Sequence, residues 1–179
     1  ANTLRLKCRY GRKSGLEIIY LLGNFGVRGQ GLKTEVTRPV TALKIGDWVR
    51  QGLPFFSGNL TYQTTLQPVR LRKGERVFIR IPAYRGVAAR IQVNGQIAGV
   101  IGWPPEEVDI TPLLGDKPIT LGIEVFGHRR NSHGPLHLKE KWPLWTGPNQ
   151  FVPDDKNWQD DYQRVPCGLM KPPVWVVKK

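Results

Sequence analysis

The chain's 179 residues predict an all-β fold, an antiparallel β-sandwich. Three observations carry that expectation. Ala89, Ile91 and Val93 alternate with Arg90 and Gln92, the period-2 pattern of a strand with one dry face. Asn94-Gly95 follows, the dipeptide best suited to a type I′ turn, whose two central residues both need φ > 0. The chain then returns through Gln96, Ile97, Ala98, Gly99 and Val100 as the second arm of a hairpin. Finally, 20 Gly and 15 Pro suit a turn-rich sheet protein better than a helical one.

The remaining elements follow in chain order. Leu4, Leu6, Cys8 and Tyr10 alternate with Arg5, Lys7 and Arg9, a strand whose cations stand about 7 Å apart along one face. Residues 16–22 are apolar at nearly every position and read as a central strand covered on both faces. Gly23 to Val27 bend the chain, and 32–37 form a short strand that Arg38-Pro39 breaks. Trp48, Phe55 and Phe56 read as core rather than as a ligand platform. Leu60, Tyr62, Thr64 and Leu66 give the next strand, and Asn59-Leu60-Thr61 at its start is formally a glycosylation sequon, as readily incidental as functional there. A basic turn at 70–76 precedes Val77, Ile79 and Ile81, another dry face. Asp109-Ile110-Thr111-Pro112 is a short turn capped by Asp109. Ile119, Leu121, Ile123 and Val125 form a further strand. After His137 alternation stops, and residues 138–164 make a long loop, a length that marks function or disorder. Residues 174–177 close the sheet.

Several of these pieces resemble one family. Val93-Asn94-Gly95, Trp103-Pro104-Pro105, Asp109-Ile110-Thr111 and the run Asn131-Ser132-His133-Gly134-Pro135-Leu136-His137 occur in the order seen in the galactose-binding-like jelly roll. That fold is the sugar-binding domain of family 2 glycoside hydrolases and the carboxy-terminal β-domain of rhamnosidase-like bacterial glycosidases. The approach Gly46-Asp47-Trp48 with Pro54-Phe55-Phe56, and the Gly168-Leu169 tail, are similar too. The length suits one domain over 1–179, read as strands in 1–44 packing on a jelly-roll core in 45–179, and the resemblance covers roughly Gly23 to the end. The resemblance also implies a bacterial, secreted or periplasmic setting, a parent catalytic domain as partner, and a structural calcium ion in some relatives.

Chemistry narrows the function. Glycosidases need two carboxylates roughly 5–5.5 or 6.5–9.5 Å apart. Glu106 and Glu107 are adjacent and point apart in extended chain, and Asp109 is explained as a cap. No serine elbow or phosphate loop occurs, so the expectation is a non-enzyme with no cofactor. His133 and His137 are four apart in a Gly-Pro loop, which is not a helical metal pair. Asp154, Asp155, Asp160 and Asp161 offer oxygen ligands but match no calcium-loop spacing. No run of 18 apolar residues is present, so no membrane span is expected, and the opening residues do not read as a signal peptide. For Cys8 and Cys167 both one disulfide and two buried thiols stay open; the small apolar character of Cys favours the thiols.

What remains is binding. A pyranose packs its C–H face on an aromatic ring and pairs its hydroxyls with planar polar groups. The loops supply Tyr84, Arg85, Trp103, His128, Arg130, Asn131, His133, Trp142 and Trp145, and loops from alternate hairpins gather at one rim. The partner expected is a polysaccharide or oligosaccharide. A net charge of +13 directs it toward acidic sugars, because Arg pairs carboxylate or sulfate bidentately. A purely structural role beside a catalytic domain is the alternative. Charge-driven binding of nucleic acid is a third, without a nucleic-acid-binding signature to support it.

Overall fold

A computed structural model describes residues 3–13, 19–141 and 145–179. Its strands are β1 (Gly26–Arg28), β2 (Glu35–Thr37), β3 (Asn59–Leu66), β4 (Arg76–Arg80), β5 (Tyr84–Arg85) and β6 (Ala89–Val93). They continue as β7 (Gln96–Ile101), β8 (Glu107–Asp109), β9 (Ile119–Phe126), β10 (Gly168–Leu169) and β11 (Val174–Lys178). Two single-turn helices, α1 (Arg130–His133) and α2 (Pro148–Phe151), interrupt the loops. All strand pairs are antiparallel. One sheet runs β3-β9-β6-β7 and a second β11-β4-β8, while β1-β2 and β10-β5 are two-stranded. The expected antiparallel β fold is met.

Alternation decides which face of each strand is dry. Val77 and Ile79 of β4 meet Ala89, Ile91 and Val93 of β6 and Leu121, Ile123 and Val125 of β9 in one buried cluster, so the core draws on both larger sheets. Each such valine, isoleucine or leucine contributes about 1.5–3 kcal/mol on burial. Outward-facing partners pair by charge instead: Arg90 Nε donates to Glu124 at 2.8 Å across β6 and β9. The β6-β7 turn forms as its sequence requires, with Asn94 at φ 51° and Gly95 at φ 81°. Asn94 Oδ1 also accepts from the Thr120 amide at 2.8 Å, tying the turn to the start of β9. Asp109 caps the following turn, accepting from the Thr111 amide at 2.9 Å and from its hydroxyl at 2.5 Å.

Trp48 is fully buried, edge-on to Phe56 at 6.0 Å, and Phe55 is half-buried. Asp47 sets Trp48 in place from both sides: its Oδ1 accepts from the amides of Val49 (3.0 Å) and Cys167 (3.1 Å).

The amino-terminal expectation needs correction. No strand forms among residues 3–13 or 19–25, and Leu4, Leu6 and Tyr10 are exposed. Of the run 16–22, residues 16–18 lie outside the described residues; Ile19 to Leu22 are exposed and unpaired in any sheet, Leu22 at 86%. Alternation writes a dry face, but a strand also needs a neighbour to complete its backbone hydrogen bonds, and no sheet edge takes this segment. Likewise the strand expected over 32–37 shortens to β2, preceded by a 3-10 turn (Gly31–Lys33). The long loop 138–164 closes on itself. Leu138 bridges Trp158, and Gln163 Nε2 donates to Leu138 O and Glu140 O at 2.7 and 2.6 Å. Both cysteines are free, but only Cys167 is buried; Cys8 is exposed with the rest of its segment.

Candidate functional site

Register places Asn59 beside Phe126 and Ala89 beside Val125 and Ile101. The segments 53–58, 81–88, 102–106 and 127–137 therefore open from the same end of the four-stranded sheet. β5 pairs with β10 there, Arg85 opposite Gly168 and Tyr84 opposite Leu169. His128 Nε2 lies 3.5 Å from Pro166 O, on the chain entering β10. The Tyr84 and His128 loops thus meet at one rim, through the strand that separates them.

The rim residues divide by what their polar atoms already touch. Asn131 is 1% exposed and both its amide atoms are bonded to the Val165 backbone. Arg130 donates to Pro135 O at 3.2 Å and to Gln163 Oε1 at 2.5 Å, and burial pushes its pKa below the usual arginine value. These two side chains fasten 130–135 to 163–165, which leaves them little to offer a ligand. Tyr84 is half-buried, its hydroxyl donating to Ile101 O at 3.2 Å, and burial raises its pKa. His128 is half-buried, and its Nδ1 has no partner among the described residues.

Four residues face solvent. Trp103 is 81% exposed, between Gly102 and the cis Pro104-Pro105 bond. Arg85 is exposed and has no carboxylate within ion-pair reach among the described residues. His133 is exposed, its Nδ1 2.7 Å from Ser132 Oγ and its ring stacked on Tyr20 at 5.3 Å. Trp145 is 71% exposed, on the loop after β9 rather than within these four segments. Trp142 lies outside the described residues.

Two of the three carboxylates weighed for catalysis are committed elsewhere, and the third, Glu106, is exposed. Glu107 pairs with Arg80 at 2.9 Å and with Lys178, and Asp109 with Arg76. Among the described residues no group of three or more His, Cys, Asp or Glu converges on one point. Asp154 Oδ1 accepts from Asn157 N and Nδ2, and Asp160 Oδ1 from Trp158 Nε1, so both serve the loop. Asp155 and Asp161 are exposed. Among the described residues no helix is long and apolar enough to cross a membrane.

One feature escaped the sequence reading. Phe55, Tyr162, His137 and Trp158 form a continuous ring ladder, with centroids 5.2, 5.1 and 4.3 Å apart in that order. Arg164 lies over Phe55 at 5.9 Å, at the ladder's far end. Phe55 and Tyr162 are too distant in sequence for any local spacing to have announced the contact.

With this geometry the chain can be set beside known proteins. No family model matches it, and no curated protein sequence does. Among solved structures it is similar to a rhamnosidase from Novosphingobium sp. PP1Y, with 15% identity and a TM-score of 0.50, covering 90% of this chain and 16% of the rhamnosidase. The likeness is one of fold. An FMN-binding beta-glucuronidase from Facaelibacterium prausnitzii L2-6 matches at 20% identity and a TM-score of 0.44, over 90% of this chain and 22% of its own. A beta-D-glucuronidase from Dictyoglomus thermophilum matches at 16% identity and 0.43, over 87% and 26%. The chain therefore spans well under a third of each of these three glycoside hydrolases.

Proposed function

We propose that the chain is a non-catalytic, galactose-binding-like β-domain of a larger bacterial glycoside hydrolase, and that it contacts carbohydrate at the rim around Trp103. The observation that carries the binding reading is the exposure of Trp103, 81%, on a loop opening from the same end of the sheet as Arg85 and His128. An indole this open, on the same rim as a guanidinium with no carboxylate partner among the described residues, suits the apolar face and hydroxyls of a pyranose. Support for the non-catalytic part comes from the small share of the rhamnosidase that the chain spans, and from the ion-paired state of Glu107 and Asp109. A secreted or periplasmic destination belongs to the same reading.

A second reading, a scaffold that completes a catalytic domain, is favoured by Arg130 and Asn131, whose polar atoms are spent inside the fold. Binding to a panel of neutral and acidic polysaccharides, with DNA alongside, separates the two. Retention on one glycan class that survives high salt and is lost in Trp103→Ala supports the rim. Absence of binding to every glycan leaves the scaffold, and binding to all polyanions that vanishes with salt leaves only the charge.

A further inference from the structure

A recess of about 570 Å³ opens between the β1-β2 hairpin and the 3-10 turn Trp48–Gln51. Val27, Val40 and Val49 form its apolar walls, and its charged lining is three arginines, Arg28, Arg50 and Arg164, with no carboxylate. We propose that this recess is an oxyanion site, taking the carboxylate of a uronic acid or the sulfate of a sulfated sugar within an acidic polysaccharide. It goes beyond the rim reading and uses none of the sugar-binding residues named there.

The three guanidinia are unequally occupied. Arg28 pairs with Glu35 at 2.8 Å, but both side chains are largely exposed, so water and salt screen the pair. Arg50 reaches Asp47 only at 3.7 Å, and Asp47 spends its other oxygen on the amides of Val49 and Cys167. Arg164 is the deepest. Its Nη2 donates to Gly29 O at 3.2 Å, and its guanidinium lies over Phe55. Among the described residues it makes no ion pair. Asp47 and Asp161 are near enough to favour its charge, yet desolvation prevails and lowers its pKa. A half-desolvated cation with most of its five donors unused is an incomplete arrangement. A carboxylate or sulfate supplies the missing charge and accepts two parallel N–H bonds.

Scale favours a sugar over a nucleic acid. A duplex presents one charge per about 1.7 Å of axis and is met by cations along a line. Three arginines lining one concavity, rather than a row of them, fit a single anionic group, and the valine walls suit the C–H face of the ring that bears it.

The test is calorimetric titration of the full chain with a galacturonic acid hexasaccharide, a chondroitin sulfate hexasaccharide, a neutral hexasaccharide and a short single-stranded DNA. The acidic sugars bind and the neutral one does not; whichever acid binds more tightly identifies the group. Arg164→Gln and Arg50→Gln each weaken binding by roughly tenfold, and Arg164→Lys by several-fold, because a point charge cannot make the paired hydrogen bonds. Arg50 is exposed, so Arg50→Gln keeps the test valid even if Arg164→Gln fails to fold. Trp103→Ala leaves this binding unchanged. Unaltered affinity in folded Arg50→Gln, loss of binding in Trp103→Ala alone, or DNA binding equal to that of the acidic sugars overturns the site. So does failure of both acidic sugars to bind.

Discussion

The Asn131 side chain pairs with the backbone of Val165 as a neighbouring strand would: Nδ2 donates to Val165 O and Oδ1 accepts from Val165 N, each at 2.8 Å. A single amide thus holds two segments 34 positions apart, at the rim end of the core. Asn131→Ala leaves a buried donor and a buried acceptor unpaired, at an expected cost of about 2–4 kcal/mol. Urea unfolding followed by tryptophan fluorescence checks this: the midpoint falls while the slope stays the same.

Asp109 gives a pH signature. Burial pushes its pKa up, but the Thr111 hydroxyl and amide and the Arg76 guanidinium outweigh burial and hold the carboxyl below its ordinary range. A depressed folded pKa means the contribution is complete above the unfolded value, about 3.9, and fades as pH falls through the lower folded one. Asp109→Ala is expected to lose about 1 kcal/mol at neutral pH. The gap between wild type and variant should close as a denaturation series descends from pH 5 to pH 2; a gap that stays constant contradicts the assignment.

The two thiols should behave as opposites. Cys8 is exposed, whereas burial raises the Cys167 thiol to about 11 and shields it. Ellman's reagent at pH 8 is expected to titrate one thiol in the native protein and a second only in guanidinium chloride. Cys8→Ser should abolish the native reaction, and two fast thiols would show that the Cys167 environment is open.

Gly168 is the tightest point of the β10 seam. It sits at φ 133°, and a Cβ there would come within 2.5 Å of Gly46 O. Gly168→Ala is expected to cost more than about 1 kcal/mol. It should also loosen the bond from Gly46 N to Leu169 O, 2.7 Å in the wild type. Amide exchange at Gly46 would report that loosening directly.

Local signals were the legible ones. Asn94-Gly95, the Asp109 cap and the alternation of 89–93 each act through neighbours in sequence, and each formed as read. Leu4 to Tyr10 carries the same alternation without a partner edge, a condition no local pattern contains. At the rim, Trp103 and Asn131 looked alike as loop residues fit for sugar. One proved open and the other sealed, because what seals Asn131 is Val165, delivered by a later stretch of chain. The arginine recess was illegible for the same reason: Arg28, Arg50 and Arg164 share no motif and meet only through the fold.

The middle strand of the smaller sheet, β4, has β11 along one edge, with Val174 opposite Arg80 and Lys178 opposite Arg76. Those partners are roughly a hundred residues apart, so closing that ladder carries the full entropy of a long loop. During synthesis β4 leaves the ribosome many seconds before β11 exists, at about 5–20 residues per second. For that interval its edge is an open template for any passing strand. Completion of this sheet is thus a late event, timed by translation of β11 rather than by the early β6-β7 hairpin.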